Sequence, residues 1–157
     1  MGYTFDKKSM RILLFGLLAG FLDGVAAILL FMARGNKKPA ILFQYIASAV
    51  FGKTAFAGGS LMVVMGIFLH LLIALSWTVI YFRIYPHISW LSVYPLAAAA
   101  LYGLLVWMMM NLLIVPLSKA APRPFSLTFA LINIGILIVA IGLPTAFLAR
   151  QYFQKGG

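Results

Sequence analysis

An all-α, polytopic membrane protein with four transmembrane helices is predicted from three observations. The 157 residues are 64% hydrophobic and 9% charged with a mean hydropathy of +1.08, whereas a soluble domain is about half apolar and about a quarter charged. The apolar residues gather in four runs of about 20, the number whose helical rise crosses ~30 Å of hydrocarbon. Basic residues and Pro- or Gly-containing connectors separate those runs. Length and composition together leave one bundle domain over residues 1–157 and no room for a separate soluble domain of typical size.

The first span is expected over 12–33, introduced by Lys7, Lys8 and Arg11 and closed by Arg34-Gly35-Asn36-Lys37-Lys38-Pro39. Its apolar stretch is too long for a cleaved leader, it carries an acid, and no Ala-x-Ala site follows at a suitable distance, so it is read as an anchor. The second span, 61–82, stops at Arg83, with Tyr81, Tyr85 and Trp90 read as interfacial aromatics. The third, 95–117, has Pro95 in its first turn and Pro116 in its last, positions that tolerate proline. The fourth, 125–148, follows the helix-stopping Pro122-Arg123-Pro124 and precedes Arg150, Tyr152 and Lys155. Between the first two spans, residues 40–54 are too few to cross. Gln44, Ser48 and Gly52 recur every fourth residue with Lys53 alongside, within an otherwise apolar stretch, so this segment is expected to be a short interfacial or re-entrant helix. Gly58-Gly59-Ser60 is the hinge into the second span.

Orientation is ordinarily read from basic residues in short loops, and here the count ties. One side holds Lys7, Lys8, Arg11, Arg83, Arg150 and Lys155, and the other Arg34, Lys37, Lys38, Lys53, Lys119 and Arg123. The basic opening of the first helix favours cytoplasmic termini, while the tie also allows insertion in both orientations. The net charge of +10, split between both headgroup layers, makes membrane lipids, anionic ones included, the natural partners. Nucleic acid is not expected, because no contiguous soluble basic surface exists to hold it.

Gly16, Gly20 and Gly24 form a small-residue stripe on the first span, and Ala97 to Ala100 with Gly103, then Gly135 and Gly142, make similar faces later. Such stripes let helix backbones approach closely in lipid. Packing among the four helices is the reading adopted, with an interface to a second copy or to another membrane subunit as the alternative.

Only two acids occur in the chain, and one, Asp23, stands in mid-span, where a carboxylate costs several kcal/mol unless partnered, neutralised or hydrated. Asp23 lies about eleven residues in from the terminal side, and His70, on a span running the other way, falls within about one residue of that level. Asn111 and Asn133 fall about one turn nearer the far interface. Asp23, His70, Asn133 and Asn111 are therefore the candidate intramembrane polar site, in which a hydrogen-bonded cluster would satisfy the carboxylate and shift both titrations. A structural pair that holds two helices together is the competing use. His87 is read as a solvated connector residue.

Enzymatic function is not expected. The chain contains neither Glu nor Cys, so a carboxylate pair would have to recruit Asp6 from the tail. A metal site could draw at most on Asp6, Asp23, His70 and His87. No phosphate-binding glycine loop or serine-nucleophile pattern is present, and no cofactor is expected.

His70 with Trp77, Tyr81 and Pro86, then Gly103, Trp107, Pro116, Pro122 and Pro124, resemble a pattern in small bacterial inner-membrane proteins of the YagU-like family. The resemblance covers the second span through the connector before the fourth. It implies a bacterial inner-membrane location and a helical bundle, and carries over no catalytic residue. Two functions are thus expected to compete. One is a small oligomeric channel or transporter with a proton-sensitive Asp23/His70 site at midplane. The other is a non-transporting membrane subunit, assembly or lipid-organising, that docks a partner helix on Gly16-Gly20-Gly24.

Overall fold

A computed structural model describes residues 7–122 and 124–154, with backbone alone at 7 and 8. Asp6, Arg123 and Lys155 lie outside the described residues. The described chain is helical throughout, without strands, and four of its helices are long and apolar enough to cross a membrane. It is a multi-pass membrane protein.

Helix α1 covers Lys7–Ala33, starting five residues before the expected span because nothing in the polar lead-in breaks a helix. It ends where Gly35 adopts φ 84°, a left-handed turn favouring glycine. Asn36 Nδ2 donates to Phe31 O at 3.0 Å, satisfying a carbonyl of the last turn. Arg34 sets its guanidinium 4.2 Å from the centre of the Phe129 ring, tying this end of α1 to the start of the fourth span.

Helix α2, Ala40–Phe51, turns at Gly52, φ 64°, into a 3-10 segment, Gly52–Phe56. It leans along α3, Gly59–Ile84, with the Phe43 carbonyl pressed against the bare Cα of Gly66. Gly66 is seven residues into α3, about 10 Å along it, so α2 lies beside the span and not merely across its end. The other end of α2 is bound to the connector before the fourth span. Lys119 N–H donates to Ala49 O at 3.0 Å, and Tyr45 Oη donates to Ala121 O at 3.1 Å.

After a 3-10 turn at Tyr85–His87 and the short α4, Ser89–Val93, the third span comprises α5, Pro95–Met108, a π-helical stretch Met109–Ile114 and α6, Val115–Leu117. The fourth comprises α7, Leu127–Leu137, a second π stretch Ile138–Gly142 and α8, Leu143–Gln154. Its start is set by Ser126, whose Oγ accepts from Phe129 N–H. Its end runs six residues past the expected one, because no breaker follows Leu148. Each π stretch ends two residues before a proline, Pro116 or Pro144. Proline lacks the N–H for an α-helical bond, and its ring crowds the carbonyl four residues earlier. A widened turn just ahead accommodates that crowding.

The third and fourth spans meet through small residues. A Cβ on Gly103 would lie 2.7 Å from Ile138 Cα, and Gly142 abuts the Ala99 carbonyl. The core sits toward the terminal side, built from Tyr81 and Phe82 of α3, Tyr85 of the 3-10 turn that follows it, Tyr102 and Val106 of α5, and Ile141, Ala149 and Tyr152 of the fourth span. Tyr81 and Tyr85 are thus not interfacial belt residues. They are 4% and 5% exposed, because the Tyr81 ring packs on Tyr102 of α5, centres 4.6 Å apart, and Tyr85 stacks on Phe153 of α8. Trp90 remains exposed, and so does His87.

Candidate functional site

The seam between α1 and α3 assembles the candidate site. The two helices run antiparallel, and the glycines of α1 set their approach. A Cβ on Gly16 would meet Leu75 Cδ1 at 2.7 Å and Thr78 Cβ at 3.4 Å, one on Gly20 would meet Ala74 Cβ at 2.9 Å, and one on Gly24 would meet His70 Nε2 at 3.2 Å. All three glycines of the stripe therefore face α3, and α3 fills that surface.

This close approach brings His70 to the α1 backbone. Its Nε2 lies 2.9 Å from Gly20 O. A carbonyl offers only lone pairs, so Nε2 carries the hydrogen and donates it. Gly20 O already belongs to the α1 ladder, and its second lone pair takes the imidazole. Asp23 Oδ2 lies 3.8 Å from the same Nε2. That distance is too long for a hydrogen bond and short enough for strong electrostatic coupling. Each of the two side chains is 15% exposed: the pair is largely enclosed by protein and still open at one edge.

The construction reads directly from the segment Gly20-Phe21-Leu22-Asp23-Gly24. Gly20 supplies the carbonyl, Gly24 the gap for the ring, and Asp23 the carboxylate beside it. Thr78, one turn above the contact with Ala74, is fully buried and satisfies its own hydroxyl by donating to Ala74 O at 3.0 Å. The seam is otherwise apolar.

The two asparagines are not brought into this cluster. Asn111 is exposed and donates its Nδ2 to Trp107 O, 3.0 Å away on its own helix. It lies in the π stretch Met109–Ile114. Asn133 is half-buried on α7. Among the described residues its side chain makes no hydrogen bond, to Asp23, to His70 or to any other group. Of the segment preceding α3, Gln44 bonds Gly59 O at 3.5 Å, Ser48 is buried with its Oγ donating to Tyr45 O at 2.6 Å, and Lys53 is exposed. None of the three reaches Asp23. Among the described residues no three His, Cys, Asp or Glu side chains come together as a metal-binding group.

Counting residues put Asp23 and His70 at one depth, but gave no sign of the Gly20 carbonyl, because backbone acceptors carry no residue signature. The four-residue spacing from Gly20 to Gly24, with the acid between them, was the available clue.

The chain matches no family model, no curated protein and no solved structure.

Proposed function

We propose that the protein is a small channel or transporter, acting as an oligomer, with Asp23 and His70 forming a proton-sensitive site on its polar path. One observation carries this reading: a mid-span carboxyl group 3.8 Å from an imidazole whose Nε2 is committed to a backbone carbonyl, which holds the ring in place. An ionised Asp23 beside an imidazolium would be cancelled, and beside a neutral ring it would leave one negative charge at mid-depth. The two states differ by one unit of charge where charge is costliest, about 2.5–3.5 kcal/mol for a carboxylate at a helix centre. A coupled ion responds to such a difference. Interhelical hydrogen bonds in membranes contribute only about 0.6 kcal/mol on average, so adhesion between α1 and α3 is a weak reason to keep an acid there.

The competing reading, a non-transporting subunit that docks a partner on the glycine stripe, loses its surface, since Gly16, Gly20 and Gly24 are occupied by α3. We further propose a non-enzymatic role and a bacterial inner-membrane location with cytoplasmic termini. The YagU-like resemblance and the basic opening of α1 support that location.

The test is proton flux into liposomes containing the purified protein, followed with an entrapped pH dye across a range of external pH. Wild type gives a pH-dependent flux and Asp23→Asn abolishes it. His70→Gln keeps a donor for Gly20 but cannot titrate, and it flattens the pH profile. Unchanged flux in Asp23→Asn, with the variant folded, removes this reading.

A further inference from the structure

The far half of the third span stands apart from the bundle. Its first half packs closely on the fourth span, through Gly103 on Ile138 and Ala99 on Gly142. Beyond it, the π stretch Met109–Ile114 and the short α6 pack substantially on no other span among the described residues. Asn111, Leu112, Leu113 and Ile114 are all exposed. Four consecutive residues point to every side of a helix, so the bundle covers no face of this turn.

One of the four is polar. Asn111 lies six residues before Leu117, the last of the span, which puts it about 9 Å in from that end and within the hydrocarbon. Its side chain is too short to reach the headgroups. The bond from Nδ2 to Trp107 O uses one N–H of the amide, and leaves the other N–H and the lone pairs of Oδ1 unused on an accessible side chain. Asn133 comes level with Met108 by the register of Gly103 on Ile138, one turn from Asn111, yet forms no hydrogen bond with it. The undescribed tails leave from Lys7 and Gln154, at the opposite end of the bundle. Arg123 also lies outside the described residues, and a guanidinium near a helix end is drawn outward to the headgroups, away from this depth.

Hydrocarbon offers an amide no partner. Amides in transmembrane helices bond to a neighbouring helix instead, and here the chain supplies none. An asparagine amide is self-complementary: each Oδ1 can accept from the other's Nδ2, so two copies of one surface satisfy each other in an isologous contact. The pairing also fixes direction. A two-fold axis along the membrane normal keeps both asparagines at one depth. In an inverted copy they would part, because Asn111 stands five residues past Val106, the middle of the span, and inversion doubles that offset to about 15 Å. Met108, exposed one turn before Asn111, supplies an adaptable apolar surface beside the pair.

We propose that the far half of the third span is the contact between two parallel copies of this chain, joined within the membrane by reciprocal Asn111 amide bonds. The proposal rests on the reading above only in taking the protein to be an oligomer. None of its contacts involves Asp23 or His70.

The experiment is oxidative cross-linking of the full chain in native membranes, where any introduced thiol is unique because the chain has no cysteine. Met108→Cys gives a dimer of twice the chain mass. Phe68→Cys, on an exposed position of α3 as many residues from the far end of its span, gives little. Adding Asn111→Leu to Met108→Cys lowers the dimer yield about fivefold, the scale of a reciprocal amide contact in lipid, while Asn111→Gln retains most of it. Asn111→Leu faces lipid and loses only a bond within its own helix, so the fold tolerates it. Equal cross-linking at Phe68→Cys, an undiminished dimer with Asn111→Leu, or a product containing a different protein overturns the proposal. Cross-linking reads association and not flux: its failure leaves the Asp23 and His70 site standing, and unchanged flux in Asp23→Asn leaves the dimer intact.

Discussion

His70 reaches the Gly20 carbonyl because Gly24 has no side chain. A methyl group there would stand 3.2 Å from Nε2, close enough to push the ring back by a few tenths of an ångström. Gly24→Ala is expected to lengthen the bond to Gly20 and shift the imidazole nitrogen resonances in NMR, with stability nearly unchanged. Gly20→Ala acts differently, since its Cβ would meet Ala74 Cβ at 2.9 Å and Leu71 Cδ2 at 3.1 Å. It pries the helices apart, at ~1–3 kcal/mol typical of overpacking, measurable by unfolding in detergent. Tyr102 tests a hydroxyl that is satisfied. It donates to Trp77 O at 2.6 Å, so Tyr102→Phe should cost about 0.6 kcal/mol, the usual worth of an intramembrane hydrogen bond.

Between helices, close approach and proline relief govern the third and fourth spans. Gly142 abuts the Ala99 carbonyl, while nothing lies within 4 Å of the position a Cβ would take at Gly135. Gly142→Ala should therefore destabilise the bundle by ~1–3 kcal/mol, whereas Gly135→Ala should be neutral or stabilising by up to ~1 kcal/mol through helix propensity. The same unfolding measurement on the pair checks the contrast. Pro144→Ala restores an N–H at the residue whose absence the Ile138–Gly142 π stretch accommodates. The turn is then free to tighten to α-helical bonding, which slower amide exchange at the start of α8 would report. π stretches are often found at functional sites. Here both follow from local chemistry, and neither contains Asp23 or His70.

Taken as a whole, the molecule is a basic bundle with its cations divided between two ends and a lone described acid near the middle. Orientation is open to direct measurement, because the chain contains no cysteine and any introduced thiol is unique. Gln154→Cys at the end of α8 and Asn36→Cys beyond the end of α1 stand at opposite ends of the bundle. With cytoplasmic termini, a membrane-impermeant maleimide should label Asn36→Cys in intact cells and Gln154→Cys in inverted vesicles only. Labelling of each from both sides would identify dual insertion, which the tied basic count permits.

The spans, their approximate ends and the shared depth of Asp23 and His70 were legible in the amino-acid order, because depth in a membrane helix is a linear count at a fixed rise per residue. The proline-bounded third span keeps its expected limits of 95–117, and the fourth overran because a basic residue, unlike a proline, does not stop a helix. Direction around each helix was not legible. These helices are apolar on nearly every side, so no amphipathic stripe separates the protein-facing surface from the lipid-facing one. That is why Asn111 turned outward and why Tyr81 and Tyr85 entered the core. Pairing and rotation of the helices come from the fit of glycines and alanines against particular neighbours, Gly20 on Ala74 and Gly142 on Ala99. That fit exists only once the helices have met, and it is what sets an imidazole against a backbone carbonyl beside the buried acid.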